Sequence, residues 1–320
     1  MSDERFGVLI PEAGGDAGLG AHMNLAVMNG IQGNNFNVVL IDCDENAPCS
    51  TSCNFKTVPV STDVENYLDV VKDIVRKQHI NLVLPTADFD SKTLADFKLA
   101  LIEDGCVLAM SDRKVTELWE DKLAFTAHTA EISPRTYRSA LVGVKSKGAV
   151  FGKPRYGVGS RGIWVIEDAD LAMAFDTVYG DEYIFQEVLE GNQYTTDVLC
   201  SMDGQPLQAV TREVYRLKGG ADVSCKVVKS TKMERMAMDL CERYEVIGAA
   251  CFEFMFGEDG QPKLIDAQPR LSGAHRVTAL AGLNIPLEIV NMAKGNEFEH
   301  KHITYGLKVN RTFQEVIVSG

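Results

Sequence analysis

What this sequence has least of narrows it first. Basic residues are outnumbered, 32 Lys plus Arg against 45 Asp plus Glu, which leaves a formal charge of −13 over 320 residues. A dedicated nucleic-acid binder needs a basic face to neutralise phosphates, so that class is disfavoured. A bound triphosphate is not excluded, because a few local cations can hold one on an acidic protein. No stretch approaches the roughly 18 apolar residues of a spanning helix, so no membrane role is expected. The charged start Met1-Ser2-Asp3-Glu4-Arg5 and the short apolar run Phe6–Ile10 offer no secretory signal core. The eight cysteines, Cys43, Cys49, Cys53, Cys106, Cys200, Cys225, Cys241 and Cys251, are scattered apart from the first three. With no His beside it, that trio reads as buried or loop thiols before it reads as zinc, and the chain as reduced and cytoplasmic. Internal repeats and low-complexity linkers are also missing.

What is present is ordinary globular material, 45% hydrophobic and 24% charged. The length suggests two domains, or one with a large lobe. Over residues 1–112 strands and helices alternate. Arg5–Pro11, Asn37–Asp42, Ile80–Pro85 and Val107–Met110 read as strands, and His22–Ile31, Tyr67–His79 and Leu94–Glu103 as helices. Such alternation means a parallel sheet covered by helices. Beyond it the texture changes. Val115–Ala130 reads as one helix carrying Asp121-Lys122, followed by helices over Asp170–Tyr179, Thr231–Tyr244 and Leu287–Lys294. Strands are expected at Ala149–Lys153, Ile163–Ile166, Tyr183–Val188, Tyr194–Met202, Val210–Leu217, Gly248–Phe256 and Pro262–Ala267, several of them paired by glycine turns as hairpins. The fold class is therefore α/β plus α+β.

Four segments can carry chemistry. The turn Gly14–Gly20 follows the first strand, with Asp42 placed like a ribose-binding acid. Its spacing is not G-x-G-x-x-G, and Asp16 would repel a pyrophosphate, so a nicotinamide site there is the weaker reading and a helix-capping turn the stronger. Lys153 ends a strand and runs into the glycine loop Gly157–Gly162, where Gly157, Gly159, Ser160 and Gly162 can turn backbone N–H groups toward phosphate oxygens while the lysine adds a point charge. It is not a P-loop. In the third segment Phe252 and Phe254 alternate with Glu253, and Asp266 and Gln268 stand two apart on one strand face. A hairpin would bring the three together as a hard oxygen site suited to Mg2+, or Mn2+, with Arg270 just beyond it. Gln186-Glu187-Val188-Leu189 is an edge-like strand entering a turn at Gly191, whose backbone can meet an adenine ring.

Taken in order, these motifs resemble the ATP-grasp superfamily over nearly the whole chain, closest to its carbamoyl-phosphate-synthase-like and biotin-carboxylase-like branch. The resemblance implies an N-terminal Rossmann-like pre-ATP-grasp domain over 1–112. It implies a two-lobed ATP-grasp domain over 113–320, with a small lid lobe at about 123–186 and a large lobe at about 187–320. Pro85-Thr86-Ala87-Asp88 matches a Pro-Thr-x-Asp stretch of the first domain. Lys122 and Lys153 would hold phosphates, Gln186, Glu187, Val188 and Leu189 the adenine, and Gln193 the ribose, where the family usually has Glu. Glu253, Asp266 and Gln268 would hold the metal. The family's Glu-x-Asn-Pro-Arg is replaced by Asp266-Ala267-Gln268-Pro269-Arg270, one carboxylate a methylene shorter and one amide a methylene longer.

The resemblance implies an ATP- and Mg-dependent ligase. A carboxylate takes the γ-phosphoryl group to become an acylphosphate, and an amine then displaces phosphate. Arg270 would stabilise the transferring group. Arg212, Ser272, His275 and Arg276 are candidate substrate residues. Arg212 and Arg216 share a face of their strand, where they would line the cleft or form a surface ladder. Small-molecule carboxylates and amines are the expected partners, and a homodimer through the N-terminal domain fits the architecture. The rivals are phosphorylation of bicarbonate or carbamate, a non-catalytic nucleotide-binding protein, and a nicotinamide oxidoreductase.

Overall fold

The computed structural model describes residues 5–12, 36–51, 54–86, 91–157 and 159–312. The turn Gly14–Gly20, the helix expected over His22–Ile31, Cys53 and the pair Ala87-Asp88 lie outside them. Three sheets organise the chain.

The first sheet is wholly parallel, in the order β3-β2-β1-β4-β5, from β1 (Gly7–Ile10), β2 (Asn37–Asp42), β3 (Asn54–Thr57), β4 (Ile80–Val83) and β5 (Val107–Leu108). Period-two alternation divides its side chains between two cores. Leu9, Val39, Ile41 and Val83 pack on helix α1 (Val64–Lys77) through Tyr67, Val71 and Ile74. Val8, Ile10, Val38, Leu40 and Leu82 share a core with Val210, Ala249, Val277, Ile285 and Ile289 of the C-terminal half. The first domain is thus joined to the large lobe by buried apolar surface, not by a linker.

Where one helix is expected over Leu94–Glu103 there are two short ones, α2 (Ser91–Asp96) and α3 (Lys98–Glu103). The helix expected over Val115–Ala130 is also two, α4 (Arg113–Glu120) and α5 (Lys122–His128). The break falls at Asp121, whose backbone leaves the helical region and whose carboxylate caps the N–H groups of Leu123 and Ala124.

The second sheet is a small antiparallel lobe made of β6 (Thr136–Tyr137), β7 (Val150–Pro154), β8 (Trp164–Ile166) and β9 (Tyr183–Glu187), in the order β6-β9-β7-β8. Helices α6 (Ala140–Lys147) and α7 (Ala169–Tyr179) cover it through Ala140, Val144, Ala172 and Phe175. The strand at Gln186 is therefore internal, not edge-like. It ends at Glu187, and Val188 and Leu189 lie past the ladder.

The third sheet is antiparallel, in the order β14-β13-β10-β11-β12-β15. It is built from β10 (Gln193–Cys200), β11 (Pro206–Lys218), β12 (Ala221–Val228), β13 (Ala249–Phe256), β14 (Pro262–Gln268) and β15 (Lys308–Asn310). One face carries Val198, Cys200, Phe252, Phe254 and Leu264 onto helix α8 (Thr231–Arg243) and onto Trp119 and Phe125. The opposite face carries Thr195, Asp197, Arg212, Glu253 and Asp266. Helices α9 (His275–Leu280) and α10 (Ile285–Ala293) complete the lobe. Among the described residues no helix is long and apolar enough to cross a membrane.

Candidate functional site

A cleft of about 330 Å³ opens between the small lobe and the third sheet. Phe151, Ile163, Val165, Met255 and Ile265 line it with apolar surface, and Lys122, Lys153, Gln186, Gln193, Glu253 and Asp266 supply the polar groups. Apolar walls with a few convergent polar groups are the usual form of a small-molecule site.

The carboxylates meet as the hairpin pattern requires. Glu253 on β13 stands opposite Asp266 on β14, and the pairing runs in regular register back to Cys251 opposite Gln268, so Asp266 and Gln268 share the Glu253 face. Burial, with Asp266 and then Asp222 facing it, raises the Glu253 carboxyl to about 8. Lys153 stands on β7 of the small lobe and faces these charges. It is 8% exposed, its Nζ donates to the Ile265 carbonyl, and burial lowers its pKa against the opposing pull of Asp266. Two carboxylates forced together are a site short of positive charge, and a divalent cation fits that deficit. Among the described residues no three of His, Cys, Asp and Glu group as a metal site, so a third protein ligand would have to be Gln268, whose Nε2 lies 3.4 Å from Asp266 Oδ2.

This gives a linkage prediction. A carboxyl whose pKa is raised by folding stabilises the fold at low pH, and that stability is lost as pH rises through the folded value. A bound cation favours the ionised form and cancels the loss. The rise in Tm on adding Mg2+ is therefore expected to be larger above about pH 8 than at about pH 6, which thermal unfolding at matched ionic strength measures.

Lys122 opens α5, and its Nζ donates to Gly157 O at 2.7 Å, tying the helix start to the glycine loop. Asp121 beside it accepts from Arg155 Nε at 2.7 Å, from Arg155 Nη2 and from the Tyr156 hydroxyl. The Arg155 guanidinium is the main reason that its carboxyl stays well below the usual carboxylate range. Cap and ion pair thus converge on one side chain that places Lys122 and the root of the loop. Asp121→Ala is expected to cost about 1–2 kcal/mol of stability, read from urea denaturation. The effect is expected at neutral pH and lost on acidification, since the lowered pKa makes the ionised form the stabilising one.

In the loop, Gly157, Gly159, Ser160 and Gly162 all take positive φ. Its tip rests on the β11–β12 turn, where a Cβ on Gly220 would stand 2.7 Å from the Gly159 Cα. Only a residue without a side chain allows that approach.

The remaining candidates separate from the cleft. Arg212 is 1% exposed. It donates to Asp197 and Asp222, to Ser272 Oγ at 3.0 Å and to Thr278 Oγ1 at 3.2 Å. Its fork is consumed inside the protein, so it is neither a cleft-lining group nor part of a surface ladder. Arg216 is exposed, because the β11–β12 register shifts on both sides of it. Ser272 is buried as a partner of Arg212. His275 is buried too: Nδ1 lies 2.8 Å from Ser272 O, Nε2 has no hydrogen-bond partner among the described residues, and burial lowers the imidazole to about 4. It is neutral at physiological pH. Arg276 is partly exposed. Arg270 donates to Leu271 O at 2.9 Å and lines a second, smaller cavity with Pro85, Met110 and Glu120. Pro269 ends β14, and the chain turns there toward the first domain.

Sequence reading missed the Arg155 and Tyr156 clamp, the Thr136 contact to Gln186, and the Asp197–Arg212–Asp222 network. Gly219-Gly220 was an available hairpin signal for β12. The others depend on partners 34 to 50 residues away or on strands brought together by the sheet, which no local spacing encodes.

Two family models match parts of the chain. The family described as "ATP-grasp in the biosynthetic pathway with Ter operon" matches residues 180–314, and the "PylC-like, N-terminal domain" family matches residues 18–109. No curated protein matches the sequence. Among solved structures, the chain is similar to the biotin carboxylase domain of the 2-oxoglutarate carboxylase of Hydrogenobacter thermophilus, a dimer bound to MgADP, ADP and bicarbonate. The TM-score is 0.71 at 16% identity, over 93% of this chain and 72% of that one. It is similar to the Campylobacter jejuni biotin carboxylase in its β,γ-ATP complex, with a TM-score of 0.67 at 15% identity over 93% and 73%. The Staphylococcus aureus N5-carboxyaminoimidazole synthetase complexed with ADP gives 0.65 at 15% over 92% and 79%. Residues 180–314 are thus similar to an ATP-grasp family and residues 18–109 to a PylC-like N-terminal domain, and the fold over most of the chain is that of these solved structures.

Proposed function

We propose that the chain is an ATP- and Mg-dependent ligase that joins a carboxylate to an amine through an acylphosphate and releases ADP and phosphate. One observation carries this reading: two lysines and two facing carboxylates converge at one end of an apolar cleft, while a glycine loop covers it. Lys122 and Lys153 hold phosphate oxygens, and the apolar walls together with Gln186–Leu189 and Gln193 take the nucleoside. Glu253, Asp266 and Gln268 are the residues that would hold Mg2+, which neutralises phosphate charge when bound. Phosphoryl transfer asks the protein mainly to position groups and balance charge, and this constellation does both. The Gly157–Gly162 loop excludes water that would otherwise hydrolyse the acylphosphate. The shortened acid and lengthened amide at Asp266 and Gln268 retain oxygen donors on one face. The acceptor reacts on the side facing Arg270 and Arg276. A reduced, cytoplasmic setting suits a chain in which no described cysteine is disulfide-bonded, and the proposed assembly is a homodimer through the first domain.

Bicarbonate is the second carboxylate to try, because the Hydrogenobacter structure is a complex with MgADP, ADP and bicarbonate. The test is phosphate and ADP release with Mg2+ across pools of amino acids, small carboxylic acids and bicarbonate, beside an Asp266→Ala control. Substrate-dependent release that the control loses is the expected result. Nucleotide binding with no release in any pool would favour the non-catalytic reading.

A further inference from the structure

A buried group of charges lies outside the reaction proposed above, at the root of the β11–β12 hairpin. Asp222 is 4% exposed and accepts from Arg212 Nε and, at 3.4 Å, from Thr195 Oγ1. Arg311 closes the same root, donating from Nη1 to Asp222 O at 3.0 Å and from its backbone N to Val223 O at 2.8 Å. Taking one partner from such a set leaves buried charge unpaired, so the root does not bend cheaply. Arg212 stands opposite Thr195 and Thr195 opposite Glu253, so the root belongs to the same sheet face as the Glu253 and Asp266 carboxylates. Just before Asp222 the hairpin turns at Gly219-Gly220, and there it meets the glycine loop of the small lobe backbone to backbone. A Cβ on Gly220 would stand 2.7 Å from Gly159 Cα and 3.0 Å from its carbonyl carbon, and one on Gly159 would stand 3.6 Å from Gly219 O.

We infer that the Gly219-Gly220 turn is the seat on which the phosphate loop comes to rest, and that Gly220 is a positioning residue for phosphoryl transfer. The inference rests on the reading of the cleft as a nucleotide site. Lys122 on Gly157 O and the Tyr183 hydroxyl beside Gly162 hold the two ends of the loop. Glycine leaves the stretch between them conformationally free, so the tip has to be placed from across the cleft. A contact between two backbones has no rotamer to absorb play, and the tip therefore stops at one position. The turn is carried by the sheet that carries Glu253 and Asp266, so that position is set relative to the carboxylates and not by the small lobe. A methyl group on Gly220 would hold the tip off by about 1 Å, a misplacement large enough to slow an oriented reaction. The Asp197–Arg212–Asp222 network thereby acquires a role, which is to keep the seat in place.

The test is amide hydrogen exchange and ADP dissociation, both on the full chain in Mg2+. In the wild-type protein, saturating ADP is expected to slow exchange in residues 159–162 and in residues 218–221 together. Gly220→Ala is expected to lose both protections and to release ADP about tenfold faster, with little change in the association rate. Gly220→Asn separates contact from strain, because asparagine accepts the left-handed backbone yet carries a Cβ, and it is expected to behave as Gly220→Ala does. Gly260→Ala puts the same strain, at φ +68°, into a turn where a Cβ meets nothing within 4 Å, and it is expected to match wild type. Protection of only one segment in wild type, or of neither with ADP bound, would overturn the inference. So would wild-type ADP release in both Gly220 variants, or equal acceleration in Gly260→Ala. The wild-type exchange decides alone if the Gly220 variants do not fold. Wild-type protein that binds no ADP would instead sink the nucleotide reading of the cleft.

Discussion

Asp266→Ala is expected to lower metal-dependent ATP turnover by about a thousandfold or more without destabilising the metal-free fold. The first half follows from the position of Asp266, directly opposite Glu253 on the paired strand β13 and inside the cleft that holds both lysines. Removing it leaves a single carboxylate to hold Mg2+, so the cation that would balance charge on the transferring phosphoryl group is lost. The second half follows from electrostatics. Asp266 is the largest charge contribution holding the Glu253 carboxyl up near 8. Deleting a like charge relieves a repulsion that the metal-free protein carries, and the Glu253 carboxyl moves back toward its ordinary range. Steady-state phosphate release and thermal unfolding on the same preparation separate the two. Lost turnover with an unchanged or raised metal-free Tm is the expected pair, and a matching loss of both would make Asp266 a structural residue.

Lys153→Met is expected to weaken ADP binding by about a hundredfold. Lys153 is buried on β7, with its ammonium on the Ile265 carbonyl next to Asp266. Methionine fills a similar volume, so the packing of β7 survives while the charge is lost. The substitution also removes the cation that lowers the Glu253 carboxyl. That carboxyl is therefore expected to rise further, moving the pH at which Mg2+ stabilises the protein upward. Calorimetric titration of ADP and the pH dependence of the Mg2+-induced change in Tm check the two consequences. A normal ADP affinity in the variant would remove Lys153 from the phosphate site.

The parts of this fold that were legible in the sequence are those governed by local period. Alternation placed Phe252 and Phe254 on the face opposite Glu253, and the third sheet has that arrangement. Strand–helix alternation in the first domain foretold a parallel sheet. The misreadings have physical causes. Residues 113–128 carry continuous helical spacing, yet Asp121 ends one helix and caps the next because its carboxylate is claimed by Arg155 and Tyr156, 34 and 35 residues on. Arg212 resembled a surface cation because a strand of alternating charges looks solvated. Its burial depends on Asp197 and Asp222 from flanking strands, and β12 had not been recognised. Such a pair breaks at high cost when one partner is removed, since the others are left charged and buried. Arg270 follows the metal strand in sequence, and past Pro269 it lines a second cavity with residues of the first domain, which no local spacing encodes.

The most direct test of the central claim is calorimetric titration of the wild-type protein with ADP, in the presence and absence of Mg2+, beside Asp266→Ala. One nucleotide per chain is expected, bound more tightly with Mg2+ than without it, with the gain from Mg2+ missing in the variant. ADP that does not bind, or that binds with an affinity indifferent to both Mg2+ and Asp266, would contradict the assignment of this cleft as a metal–nucleotide site.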